Sequence, residues 1–285
     1  MKCKIIVCTH KRWDIPNNDI YMPLHVGKAL TSQDFGYQGD DTGENISIKN
    51  KNFCELTGLY WGWKNLDVDY IGTCHYRRYF DFKRLSPVDF LGNYDMVLPT
   101  LHTNKVCAGE QLMNLTTRED FYIWLMSIMK THPEYKQTLI YCLFNTNKCS
   151  GYNMMFCKKE VYDDYCKCLF SIFDEMEKWT RLSGYSRLAR LYGFLSEYFP
   201  YIYCRQNRLK IKYTNIIESL SATNHQRTKV KIVDILKRFL FDITFRITNK
   251  KHLSFPITEE YDTNIVGFKN DKIPYIDSEG NVIVP

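Results

Sequence analysis

No run of apolar residues in this chain approaches the roughly 18 that a membrane span needs. No Cys-x-x-Cys pair occurs, and Cys166 and Cys168 stand too close together for a zinc knuckle. The eleven cysteines are odd in number and irregularly spaced, which argues against a disulfide scaffold. They read instead as reduced thiols that pack as small hydrophobes in a cytosolic protein. There is no internal repeat and no low-complexity tract, so solenoids and disordered tails are not expected. Nor does the start resemble a signal peptide. "MKCKIIVCTHKRW" has only a short apolar run before charge returns, and it reads as a first strand.

What is present is ordinary in bulk and unusual in one respect. Of 285 residues, 45% are hydrophobic and 25% charged, as in a soluble globular protein. Aromatics reach 15%, with 21 tyrosines. Tyrosine combines packing area with a polar tip, which suits clefts for sugars and bases, although a well-stocked core would use it too. The net charge of +6 is mild. It favours phosphate-bearing ligands or anionic lipid without requiring nucleic acid.

Strands and helices alternate through about residue 215, which predicts an α/β fold with a mostly parallel, Rossmann-like sheet. Strands are expected at 3–8, 69–75, 94–98 and 149–157. Residues 21–30 can form a short helix, and 33–48, with three glycines and four acidic residues, reads as a loop. Asn52 and Glu55 have capping-box spacing for a helix ending near Asn65. Thr117 should cap a helix over 118–131, and Pro133 should open the next. An amphipathic helix is expected over 158–179, and another over 186–199 closed by Pro200. Residues 229–248 place Ile232, Val233, Leu236, Phe239, Leu240 and Ile243 on one face, with Lys231, Lys237, Arg238 and Arg246 largely off it. That pattern fits a basic helix at a membrane surface, although a helix packed on its own domain is the plainer reading. Residues 273–285 resemble a small hairpin around Glu279-Gly280-Asn281.

In open α/β sheets, ligands bind beyond the carboxyl ends of the strands. The rule nominates Thr9-His10-Lys11, the segment after Leu98, and above all "YIGTCHYRRYF" (70–80), a strand that runs into His75, Arg77 and Arg78. Arginine offers a planar fork of donors suited to phosphate. The plainer reading is that Arg77 and Arg78 face opposite ways and that one pairs with a local acid such as Asp81. His75 can be a hydrogen-bond donor to a ligand or a purely structural histidine. Asp67-Val68-Asp69 is a literal D-x-D of the kind that holds a metal on a donor diphosphate. It precedes its strand, however, and reads as a turn on the wrong edge. Glu197 is a candidate general base, with Arg190 two turns earlier and Gly193 one turn earlier, unless it is a solvated surface carboxylate.

"NFCELTGLYWGWKNLDVDYIGTCHYRRYF" (52–80), with "CTHKRW", "GDDTGENIS" (39–47) and "YGFLSE" (192–197), resembles a bacterial glycosyltransferase family. Its members occur in capsule, exopolysaccharide and O-antigen loci, and the family was long described as a domain of unknown function. Some are galactofuranosyltransferases. The resemblance covers about residues 1–218 and implies a GT-A-like nucleotide-diphospho-sugar transferase fold, with 219–285 as a helical and hairpin extension. It further implies transfer of a sugar, with UDP-galactofuranose as donor and inversion at the sugar carbon. Carried over by position, Thr9, His10 and Lys11 are nucleotide contacts. Asp40 and Asp41 hold ribose or base, and Glu55, Thr57 and Tyr60 line the helix leading to the site. Where the family has an arginine after the glutamate of F-L-S-E, this chain has Tyr198, so acceptor contacts by Arg190 and Tyr198 can set a different specificity.

The expectation is a cytoplasmic glycosyltransferase, peripheral at the inner face of the cell membrane through 229–248. Its acceptor is a glycan or a lipid-linked glycan. His75, Arg77 and Arg78, with Lys11, bind the donor diphosphate. Glu197, or failing it Asp95, activates the acceptor hydroxyl. No cofactor is required by the sequence, and a divalent metal (manganese or magnesium) is compatible with it. The rivals are a non-catalytic phosphate- or nucleic-acid-binding module and an inactive scaffold of the polysaccharide machinery. Nucleic acid is disfavoured by the small net charge and the acidic 34–44 loop.

Overall fold

The computed structural model describes residues 1–16, 18–180, 182, 189–217, 226–256, 275–276 and 279–283, with the side chains of 226–233 and 275–276 left aside. The chain divides into two compact units, each assembled from three stretches. The first comprises Met1–Leu101, Ser150–Lys167 and Ser196–Val230, and the second comprises His102–Cys149, Cys168–Leu195 and Lys231–Pro285. The division expected at residue 218 cuts across this arrangement, because the second unit also draws on the middle of the chain.

A seven-stranded sheet forms the first unit. Its strands include β1 (Cys3–Thr9), β2 (Tyr21–His25), β3 (Gln38–Gly39) and β4 (Tyr70–His75). The spatial order is Ile211–Thr214, Met96–Pro99, Met155–Lys158, β4, β1, β2, β3. Every pairing is parallel except the two made by Met155–Lys158. β1 and β4 are central, and their buried stretches 5–8 and 71–74 are apolar or small because both faces are covered.

β2 replaces the helix expected over 21–30. Local preference for a short helix is weak there, and five residues instead pair with β1. Pro23 is tolerated because β3 begins to pair only at Leu24, so no ladder bond on that side needs its missing N–H. The Leu56–Asn65 helix lies directly on β1. A methyl at Gly58 would come within 2.7 Å of Cys8 Sγ, and one at Gly62 would overlap Ile6 Cδ1. Glycines four apart on one helix face allow this close approach. The expected capping box does not form. Asn50–Phe53 is a separate turn, Cys54 breaks it at φ 53°, and Glu55 precedes the longer helix without capping it.

The strand expected at 149–157 is shortened to Met155–Lys158, with Gly151-Tyr152-Asn153 forming a turn ahead of it. The helix expected over 186–199 is broken as well. Its start lies outside the described residues, Leu191–Ser196 is helical, and a new helix runs from Phe199 to Gln206. Pro200 sits in the first turn of that helix, where its missing N–H costs nothing, so it opens a helix instead of closing one.

The second unit is mostly helical. Thr117 caps the Arg118–Thr131 helix by accepting from the Asp120 N–H, and Pro133 opens the next turn, both as expected. Phe121 through Met129 are all buried, so this helix is apolar all round and central. The hairpin expected near the end pairs Tyr275–Ile276 with Val282–Ile283. Gln226–Thr248 is one long helix.

Glu175 in this unit is buried and accepts from Trp179 Nε1 at 3.0 Å, with Lys130 and Lys178 both at 2.7 Å. Burial alone would push its carboxyl up, but the hydrogen bonds from Lys130, Lys178 and Trp179 outweigh it and hold it at about 2. A carboxylate depressed in the folded state stabilises fully above its unfolded pKa, and that stability is lost as pH falls towards the folded value. Glu175→Gln should therefore cost about 1–3 kcal/mol at neutral pH, tempered by the exposure of both lysines. Melting temperatures between pH 7 and 3 check this. The variant should melt a few degrees lower at neutral pH, and the gap should close as the wild type approaches pH 3.

Candidate functional site

β1 and β4 run in parallel with Cys8 opposite His75, so both carboxyl ends open on one edge of the sheet. The backbone continues the register one step further, Tyr76 N–H donating to Cys8 O at 3.2 Å. Thr9-His10-Lys11 and His75–Arg78 therefore emerge side by side. Thr9 is buried and closes the first turn, its hydroxyl donating to Lys11 O at 2.6 Å and accepting from Lys11 N–H. It orders the loop and offers no hydroxyl to solvent.

Tyr76 organises the edge. Its buried ring has His10 at 5.4 Å and Trp13 at 5.0 Å, both edge-on. Lys11 Nζ sits 5.3 Å from the ring centre and Arg77 Cζ 5.0 Å. Arg78 turns to a different ring, its guanidinium 4.3 Å from the centre of Tyr152. The two arginines therefore diverge, because residues 75–78 form a tight turn in which Arg78 N–H donates to His75 O at 3.0 Å. The expected pairing with Asp81 is absent. Among the described residues, Lys11, Arg77 and Arg78 form no ion pair, and Asp81 accepts from Lys83 N–H. Three cations at one sheet edge, with no carboxylate partner among the described residues, suit an anionic ligand such as a diphosphate.

The turn carrying Tyr152 is the part that sequence reasoning missed. Tyr152 has φ 77° and Asn153 φ 50°. Left-handed backbone costs an L-residue about 1–2 kcal/mol, so two in succession need support. His75 Nε2 lies 2.6 Å from Tyr152 O, and because a carbonyl can only accept, Nε2 carries the proton. Thr73 Oγ1 donates to Asn153 O at 3.1 Å, and Asn153 Nδ2 donates to Glu55 Oε1 at 2.6 Å. Glu55 Oε1 is also 4.0 Å from His75 Nε2. Glu197 completes the group. A methyl on Gly151 would stand 3.7 Å from Glu197 Oε2 and 3.9 Å from a ring carbon of Tyr198, so the carboxylate faces the start of this strained turn. Gly-Tyr-Asn is a turn signature, and Asn tolerates the left-handed region, so the signal was present inside the apolar run.

Other candidates are placed elsewhere or used differently. Asp40 is fully buried and accepts from Gly27 N–H, Lys28 N–H, Ser47 and Thr57, an internal clamp in which Thr57 is also consumed. Asp41 is exposed beside it. Tyr60 donates to Glu44 at 2.8 Å on the outer side of its helix. Asp95 precedes the Met96–Pro99 strand, at the opposite edge from the cations, where it accepts from Lys210 N–H. Arg190 belongs to the second unit, its guanidinium over Phe194.

Asp67 pairs with Lys2 at 2.9 Å, and Asp69 accepts the Lys2 N–H at 2.7 Å. The D-x-D thus sits at the amino edge, as expected. Among the described residues no group of three or more His, Cys, Asp or Glu side chains is arranged to hold a metal ion.

An open cleft of about 710 Å³ adjoins Lys11, whose Nζ lies 5.0 Å from the centre of the Trp13 ring. It is lined by Arg12, Trp13, Asp14, Tyr21, Pro23 and Tyr37, with Tyr37 Oη donating to Trp13 O at 2.8 Å. Burial pushes the Cys8 and Cys74 thiols up, so neither is a nucleophile at this edge.

Residues 4–208 match a family described as a domain of unknown function, DUF4422. The chain belongs to that family. The DUF4422 region contains the sheet edge, the strained turn and Glu197, and it ends before the 226–248 helix. Among solved structures, the chain is similar to the apo structure of WbbM, a bifunctional glycosyltransferase. Identity is 27% and the TM-score is 0.70, over 78% of this chain and 46% of that one. This DUF4422 chain thus spans less than half of the WbbM chain, and it shares with it the GT-A-like α/β fold with a mostly parallel sheet. No curated protein matches the sequence.

Proposed function

We propose that this chain is a glycosyltransferase that moves a sugar from a nucleotide-diphosphate donor onto a growing surface glycan. The observation that carries this is that Lys11, Arg77 and Arg78, with no ion pair among the described residues, stand at the carboxyl edge of a parallel sheet, Lys11 beside the Trp13 of an aromatic cleft. The trio neutralises the diphosphate as it departs, and preorganised cations of this kind stabilise the transition state more than the ground state. Trp13 and Tyr37 give the cleft faces for a nucleobase. His75, protonated on Nε2 and held by Tyr152 O, keeps the turn under Arg78 in place.

Glu197 takes the proton from the acceptor hydroxyl in our reading, since its carboxylate faces the turn that Arg78 also addresses. Asp95, on the far edge, is the weaker assignment. UDP-galactofuranose as donor, transferred with inversion, follows from the family resemblance. So do a capsule, exopolysaccharide or O-antigen acceptor on a lipid carrier and a place at the inner face of the cell membrane. Acceptor contacts by Arg190 and Tyr198 belong to the same proposal. A nucleic-acid module would need a continuous basic stripe, and the net charge of this chain is only +6.

Melting the purified chain against UDP, GDP, CDP and TDP and their sugars tests this reading. A ligand at 100 times its Kd stabilises the native state by about 2.7 kcal/mol. One nucleotide series should raise the melting temperature by several degrees, and the rise should persist in chelator because the arginines supply the positive charge. No shift with any of them would remove the transferase reading, and a shift that needs added manganese would restore a metal.

A further inference from the structure

The long helix presents its apolar stripe outward. Ile235, Leu236, Phe239, Leu240, Ile243 and Ile247 are all exposed, with Phe239 at 63%, Leu240 at 60% and Ile247 at 79%. At 3.6 residues per turn they fall within about 140° of arc. Phe245, nine residues beyond Leu236 and so half a turn away, is the buried contact, with Phe241 and Asp242 half-buried beside it. The helix therefore packs through the side opposite its strongest apolar face. Periodicity alone could not separate a packed helix from a surface one, and the described side chains take the second arrangement. Ile232 and Val233 lie outside them.

From Asp234 to Leu253 the chain carries five cations, Lys237, Arg238, Arg246, Lys250 and Lys251, against Asp234 and Asp242. Asp242 is itself engaged by Arg246 at 3.0 Å and Lys148 at 3.4 Å. Leu253, 79% exposed, extends the apolar surface just past the helix end. No helix among the described residues is long and apolar enough to cross a membrane.

We infer that this face docks on an anionic lipid bilayer, lying in the plane of the interface with Phe239, Leu240 and Ile243 sunk below the headgroups and the flanking cations on lipid phosphates. An apolar stripe bordered by Lys and Arg matches such an interface in both polarity and charge. A second copy of the chain fits less well. Two such helices face to face would oppose their cations, and about 22 Å of helix offers well under the roughly 800 Å² per partner of a standard interface. The inference deepens the proposal above, by naming where a lipid-linked acceptor is met, and rests on that proposal for the acceptor alone.

Co-sedimentation of the full chain with vesicles tests it. Binding should be at least tenfold stronger to phosphatidylcholine containing a third phosphatidylglycerol than to phosphatidylcholine alone. Phe239→Glu with Leu240→Glu should lower binding at least tenfold, with circular dichroism and melting temperature unchanged because both side chains are already exposed. Lys237→Glu with Arg238→Glu should remove the preference for anionic vesicles. Failure to bind anionic vesicles, or full binding by the Phe239/Leu240 variant, overturns the inference. So does a wild-type dimer that this variant converts to monomer. The nucleotide-induced melting shift needs no vesicles, so loss of one reading leaves the other standing.

Discussion

Arg78→Ala loses the melting shift that a nucleotide-diphosphate donor produces, while its own melting temperature stays close to wild type. Arg78 is half-buried, with its guanidinium over the Tyr152 ring and, among the described residues, no carboxylate partner to be orphaned when it is removed. Folding therefore loses only a cation–π contact, about 0.5–1 kcal/mol at a partly exposed site. Binding loses charge-assisted hydrogen bonds worth about 1.5–3 kcal/mol, or roughly 10–150-fold in affinity at 1.4 kcal/mol per decade. Turnover should fall further, because the diphosphate gains charge as it leaves. Arg78→Lys should recover little, since an ammonium cannot reproduce the planar fork. Arg77→Ala should have a smaller effect, because Arg77 is exposed and rests on the outer Tyr76 cluster. Titration of each variant by calorimetry, beside the melting curves, checks the order. An Arg78→Ala variant that still binds donor at wild-type affinity would place the phosphates elsewhere.

Glu197→Gln lowers kcat by about 10²–10⁴-fold and leaves donor affinity within a few-fold, the pattern for loss of a general base. The substitution keeps size and hydrogen-bonding reach but removes the proton acceptor. The carboxylate lies in the two-residue break between Leu191–Ser196 and Phe199–Gln206, facing Gly151. Asp95→Asn, on the far edge against Lys210, should leave kcat unchanged. Steady-state rates with separate donor and acceptor titrations discriminate the two. Normal turnover by the Glu197 variant would sink the assignment, and Glu55, on the same turn through Asn153, would be examined next.

The strands β1 and β4 were legible because a buried parallel strand must be apolar on both faces, and few other segments are. Thr117, Pro133 and the terminal hairpin were legible because caps and turns are local chemistry. β2 was not, since nothing within Tyr21–His25 announces the β1 edge that it completes. Asp40 looked like a ligand contact in an acidic loop, yet four donors from Gly27, Lys28, Ser47 and Thr57 converge on it only in the folded chain.

By itself the sequence determined that a strand runs into His75, Arg77 and Arg78, that the sheet is mostly parallel, and that 229–248 has one apolar face. Only the tertiary structure decided that the two arginines part onto Tyr76 and Tyr152, and that Tyr152-Asn153 is a left-handed turn held by His75, Thr73 and Glu55. It also decided that the helix packs through Phe245 and leaves its apolar stripe exposed. Local pattern fixes which side chains share a face, because strand and helix periods are properties of the backbone. Which face is covered depends on residues distant in sequence, and those are brought together only when the chain folds.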